Sequence, residues 1–172
     1  MVILKKILDF YINSSLHVAL SAFALVSMTQ YFFGVEEDFS VAFFAFFGTV
    51  IGYNFVKYDA IARLNKTEIK KELKVIVFLS FISLLACFYF FLQLSWMSKI
   101  SAFIFFGLTL LYTLPFFPNK QNARNWKGVK IYIVGITWVG VTVILPLVEA
   151  EIPFTMDVFL MAFQRFLLVF SI

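Results

Sequence analysis

Charge is scarce in this 172-residue chain. Only 14% of its residues are Asp, Glu, Lys or Arg, against about 25% in a soluble domain. One cysteine, Cys87, excludes an internal disulfide and any zinc or iron–sulfur site built from cysteines. It stands in an apolar run, where a buried, inert thiol is the ordinary outcome. One histidine, His17, leaves nothing with which to build a two-histidine metal pair or a proton relay. Tandem repeats and low-complexity linkers are lacking. The first apolar run follows Lys5 and Lys6 but leads to no small-residue cleavage site, so it reads as a retained helix and not as a signal peptide.

Apolar side chains take the place of the missing charge. Hydrophobic residues make up 62% of the chain and aromatic residues 20%, with 25 phenylalanines; the mean hydropathy is +0.94. A soluble enzyme, a DNA-binding domain, a secreted disulfide scaffold and a disordered chain are all excluded by that balance. Six runs approach the ~20 residues that an α-helix needs to cross a bilayer. They are 14–33, 39–57, 75–96, 98–117, 131–148 and 156–172. The predicted fold is all-α: a polytopic transmembrane helical bundle of about six helices, forming a single domain over 1–172.

The loops carry an asymmetry of charge. One side receives Lys5 and Lys6, then Lys57, Arg63, Lys66, Lys70, Lys71 and Lys74, then Lys120, Arg124, Lys127 and Lys130. The other receives Glu36, Glu37 and Asp38, a short turn with Lys99, then Glu149, Glu151 and Asp157. By the positive-inside rule the N-terminus and the two long polar loops are expected to be cytoplasmic, in a bacterial inner membrane. The net charge of +4 then belongs to topology and to contact with anionic membrane lipids, and nucleic acid is not an expected partner.

Within the spans, Gly48 and Gly52 form a small-xxx-small pair of the kind that lets two helices approach closely. Pro115, Pro118 and Pro146 mark helix ends or kinks. Arg165 lies inside the last run. A centred arginine costs about 2.5–3.5 kcal/mol on insertion scales, which a handful of Leu and Phe residues offset at about half a kcal/mol each. It reads either as a bundle-facing cation near a polar cavity or as a side chain that snorkels or pairs with a further helix.

Two polar stretches are the places where chemistry can be built. The second run ends in Gly52-Tyr53-Asn54-Phe55-Val56-Lys57-Tyr58-Asp59 and continues as a basic stretch to Lys74. It reads either as an interfacial segment whose lysines meet lipid phosphates or as a cap that places cations against a diphosphate. The loop after the fourth run carries Tyr112 and Pro115, then Lys120, Arg124, Lys127 and Gly128, with no acid. Two cationic loops bracketing a helical bundle suit an anionic headgroup, whether of a lipid or of a substrate.

The asparagine-led end of the second run, followed by a Tyr…Pro…basic loop after the fourth, resembles the UbiA superfamily of intramembrane prenyltransferases. The resemblance implies a nine-helix bundle of which this chain is expected to be the front two-thirds, incomplete or inactive by itself. It implies transfer of a polyprenyl group from its diphosphate to a lipophilic acceptor, with Mg²⁺ held by aspartate-rich motifs. The first motif of the family reads Asn-Asp-x-x-Asp-x-x-x-Asp. Here Asn54 is kept, Phe55, Tyr58 and Ala62 stand at the three aspartate positions, and Asp59 is one residue out of register. Carried over position by position, the resemblance implies Asn54, Lys57, Asp59, Lys66, Tyr112, Lys120 and Arg124 as substrate-binding residues. Asn54 and Asp59 become the candidate Mg²⁺ ligands, because that ion prefers hard oxygens shared with phosphate. Polyprenyl diphosphate is the implied ligand. Two other functions stand beside this one. The first is a non-catalytic membrane protein or partner subunit; the second is a small transporter, which would need more ionisable or broken-helix features near the midplane.

Overall fold

The computed structural model describes residues 2–35, 39–64, 71–114 and 128–171, and these are helical with no strand among them. The elements are α1 (Val2–Asn13), α2 (Leu16–Phe32), α3 (Phe39–Leu64), α4 (Lys71–Gln93) and α5 (Trp96–Thr113), then α6 (Val129–Val139), a π-helical turn (Gly140–Ile144), α7 (Leu145–Glu149) and α8 (Met156–Phe170). Four apolar stretches are long enough to cross a membrane: Phe39–Tyr58, Leu73–Gln93, Trp96–Thr113 and Val129–Glu149. The count rises to five if the bent pair α1–α2 is one span. The last three of the four begin and end within four residues of the runs read from hydropathy, and the first begins where its run does.

Two of the six expected segments take another form. The run 14–33 is preceded by a separate helix, α1, and the two meet at a 64° bend. The bend falls at Ser14–Ser15, where Ser15 takes a left-handed backbone (φ 60°). Ser14 closes α1 by donating its hydroxyl to Phe10 O at 2.7 Å. The last run forms α8, which has 15 residues and is about 23 Å long. That is short of a hydrocarbon core of about 30 Å.

Buried side chains gather where α2, α3, α5 and α7 meet: Val26, Val41, Ala42, Ala45, Leu94, Ala102 and Leu145. A second cluster, Val143, Leu147, Val158 and Met161, joins the π turn and α7 to α8. Small residues fill the α2–α3 seam because van der Waals packing, not hydrophobic contrast, holds helices together in lipid. Large apolar side chains lie outside, Phe78, Phe81 and Phe88 on α4 and Phe103 and Phe106 on α5 among them. That inside-out pattern is the one a hydrocarbon solvent allows. The start of α5 is fastened to the end of α7: the Glu149 carboxylate accepts from Ser95 N at 3.0 and 3.1 Å, and Ser95 Oγ accepts from Ser98 N at 3.3 Å. A carboxylate at that position satisfies an orphan donor and meets the positive end of the helix dipole.

The π turn follows from sequence. Pro146 has no N–H, so the carbonyl of Thr142, four residues earlier, loses its α-helical donor, and the proline ring crowds it. The chain relaxes by widening the turn to i→i+5 bonding, with Leu145 N donating to Gly140 O.

Candidate functional site

The glycines of α3 open a space instead of closing one. A Cβ on Gly52 would meet nothing within 4 Å, and one on Gly48 only Cys87 Sγ at 3.8 Å. Both residues line a half-open cavity of about 500 Å³ between α3, α4, α5 and α6, whose lining includes the exposed Phe55, Leu84 and Phe106. The glycines pressed by a neighbouring ring lie elsewhere. Gly135 lies against the Phe166 ring, 2.7 Å from where its Cβ would be, and Gly140 lies still closer under the ring of Phe105.

The cavity runs from Ala45, Ala102 and Leu145 in the core to Phe55, Val56 and Tyr112 near the ends of α3 and α5. Along α3 that is 44–56, about 18 Å of helix at 1.5 Å per residue. Its wall is mostly apolar; Thr49, Thr109, Thr113, Thr137 and Thr142 are spread along it, each donating to a carbonyl of its own helix, and the phenols of Tyr53 and Tyr112 stand towards one end. Trp138 Nε1 donates to Tyr53 Oη at 3.1 Å, and the two rings meet edge-on with centroids 6.3 Å apart. This bond ties α3 to α6 across the cavity and fixes where the phenol sits. A volume in the range of about 300–1,000 Å³, mostly apolar with a few placed polar groups, is the usual form of a small-molecule site.

The residues singled out from the sequence do not all gather there. Tyr112 does line the cavity. Asn54 is buried in the α3–α4 seam, where Nδ2 donates to Ser80 Oγ at 3.0 Å. Its Oδ1 is enclosed and has no hydrogen-bond partner among the described residues. Lys57 turns to the α1–α2 corner, donating to Asn13 O at 3.2 Å and Asn13 Oδ1 at 3.4 Å. Tyr58 Oη donates to the same carbonyl at 2.9 Å. Asp59 belongs to α3, and the helix register sets positions 54 and 59 about 140° apart around its axis. Lys66, Lys120 and Arg124 lie outside the described residues.

The metal implied by the resemblance can be weighed against this geometry. The enclosed Oδ1 of Asn54 is an oxygen awaiting a donor or a cation, and leaving it unmet costs about 1–3 kcal/mol. Among the described residues, no three His, Cys, Asp or Glu side chains gather to hold an ion. One neutral oxygen does not replace the carboxylates that Mg²⁺ prefers, so the described residues by themselves do not fit the ion.

Sequence reading passed over Tyr53 and Trp138. A lone tryptophan inside a run gives no signal of its own, since the partner of its N–H is 85 positions away. Comparison with family models, with curated proteins and with solved structures finds no match for the chain.

Proposed function

We propose that this protein is an integral membrane protein of the UbiA prenyltransferase kind, binding the isoprenoid chain of a polyprenyl diphosphate in the α3–α6 cavity. The observation that carries the reading is the cavity itself: about 500 Å³, largely apolar, with the phenols of Tyr53 and Tyr112 towards one end. A branched hydrocarbon chain matches the apolar length, and the end with Tyr53 and Tyr112 faces the diphosphate. Lys66, Lys120 and Arg124, which the family resemblance assigns to the diphosphate, lie in the basic stretches that follow α3 and α5 in sequence. Their side of the membrane is the cytoplasmic one, on the charge asymmetry of the loops. Mg²⁺ is implied by the family resemblance alone, and Asn54 and Asp59 by themselves do not make a site for it. Prenyl transfer to a lipophilic acceptor is the activity the family resemblance attaches to such a cavity.

A second reading, binding without transfer, draws on two side chains. Tyr58 and Phe55 stand where the family motif has aspartates, and both have other contacts. Tyr58 holds the α1–α2 corner, and Phe55 lines the cavity wall.

The test is equilibrium binding of geranylgeranyl diphosphate to the full chain in lipid nanodiscs, with and without Mg²⁺, for the natural protein and for Gly52→Leu. Leucine at that position fills the cavity without meeting a neighbour within 4 Å of its Cβ. Saturable binding that weakens about tenfold, roughly 1.4 kcal/mol, in the variant is the expected result. Absence of binding, or binding indifferent to Gly52→Leu, would overturn the assignment of the cavity.

A further inference from the structure

A second cavity, of about 670 Å³, lies between α2 and α8 and shares no residue with the first. Its wall is mostly apolar, with Leu25, Met28, Leu160, Met161 and Leu168, and Arg165 stands in it. Arg165 is only 6% exposed. It sits nine residues into α8, about 14 Å from the start of the helix.

An arginine keeps its charge in every protein setting and carries five N–H donors. Buried, it ordinarily meets a carboxylate or a phosphate, most often through two parallel bonds. Here its one hydrogen-bond partner among the described residues is Thr29 Oγ1, at 3.4 Å from Nη2. That distance exceeds the usual 2.7–3.2 Å of an N–H···O bond. The Thr29 hydroxyl proton faces two carbonyls, Thr142 O at 2.7 Å and Leu25 O at 3.0 Å, so Thr29 offers the guanidinium a lone pair and no charge. The acid on the same wall, Asp157, is exposed at the first turn of α8, eight residues or about 12 Å from Arg165 along the axis. The cavity therefore presents a buried cation with donors unmet among the described residues at the inner end of an apolar cleft.

We propose that this cleft is a binding site for an amphiphile with one anionic head, a carboxylate or a phosphodiester, seated on Arg165 with its acyl chain along α2 and α8. The anion supplies the two parallel acceptors that the guanidinium lacks. The apolar wall selects a chain over a free ion. This site does not depend on the prenyl diphosphate reading, which concerns a different cavity and different residues.

The experiment is native mass spectrometry and competition binding on the purified full chain, with four probes: oleate, phosphatidylglycerol, phosphatidylcholine and inorganic phosphate. The natural protein is expected to retain oleate, phosphatidylglycerol or both, and to release phosphatidylcholine and phosphate. Which of the two anionic probes is retained tells a carboxylate head from a phosphodiester. Arg165→Gln is expected to weaken retention about tenfold or more, and Arg165→Lys by a smaller factor, because lysine keeps the charge but loses the fork that holds two acceptors in parallel. Should Arg165→Gln fail to fold, Leu160→Trp fills the cleft with the arginine intact, and loss of the anionic probe supports the site. Retention that is equal for zwitterionic and anionic probes, or unchanged in both Arg165→Gln and Leu160→Trp, would overturn it. So would a dimer of the natural protein that dissociates on Arg165→Gln, since an acid of a second copy would then be the counter-ion.

Discussion

Thr29 on α2 donates its hydroxyl to the carbonyl of Thr142 at 2.7 Å, across 113 positions of sequence. That carbonyl is the one Pro146 deprives of its helical donor. A proline on one helix is thus answered by a threonine on another. The bond is buried, and it lies beside Val143 and Leu145, both fully buried. The same hydroxyl is the one that Arg165 approaches at 3.4 Å, so three elements share one oxygen.

Replacing Thr29 with valine keeps the shape of the side chain and removes the donor. The Thr142 carbonyl is then left buried without its partner, and the protein is expected to lose about 1–3 kcal/mol of stability. Thermal unfolding in detergent, followed by circular dichroism, measures the loss. A variant as stable as the natural protein would mean that the hydroxyl does not serve this carbonyl.

Pro146→Ala returns an N–H to position 146 and so offers the Thr142 carbonyl a donor within its own helix. The penalty of Thr29→Val is therefore expected to shrink in the Pro146→Ala background. A double-mutant cycle reads this as a coupling of about 0.5–3 kcal/mol. Additive losses would separate the two residues energetically.

Gly140 permits the ring of Phe105 to lie directly over the π turn. A methyl group added there has no room, and Gly140→Ala is expected to cost about 1–3 kcal/mol through overpacking. Phe105→Leu should recover part of that loss by vacating the space under the added methyl. Failure of Phe105→Leu to help would show that the helix backbone, and not the ring, resists the alanine.

Asn54→Leu separates stability from binding. The substitution removes an enclosed acceptor that has no partner among the described residues, and Ser80 keeps its own bond to Ile76 O at 2.9 Å. Unfolding temperature is expected to stay the same or rise slightly, because exchanging an unsatisfied polar group for an apolar one is near neutral or favourable. If Asn54 serves the diphosphate, binding of geranylgeranyl diphosphate falls in the same variant. Intact binding would remove Asn54 from the site.

The helical architecture was legible in the sequence because hydropathy runs are long and lipid forbids unsatisfied backbone. The stretches at Phe39–Tyr58 and Leu73–Gln93 follow directly from that rule. The bend at Ser14–Ser15 was hidden because a left-handed serine has no sequence signature of its own. Glycine spacing drew attention to Gly48 and Gly52, whereas the glycines that leave room for a neighbouring ring are Gly135 and Gly140. A glycine allows proximity, but the neighbouring helix decides whether it is used. The polar segments pointed to the ends of α3 and α5, where Tyr112 does line the cavity. Tyr53, Trp138 and the Thr29–Thr142–Arg165 group were not legible, since each depends on partners brought together only by folding.

The π turn has a bearing on how this bundle tolerates changes in length. A turn of this kind is an α-helix that has absorbed one surplus residue, so every side chain after Ile144 is rotated by about 100° relative to an uninterrupted helix. Leu145 and Leu147 face buried positions only with that rotation in place. A single-residue deletion within 140–144 would dial Pro146 and the Glu149 carboxylate around to a new heading, and Ser95 would lose the acid that fastens it. In this stretch the count of residues governs assembly as strictly as their identity does.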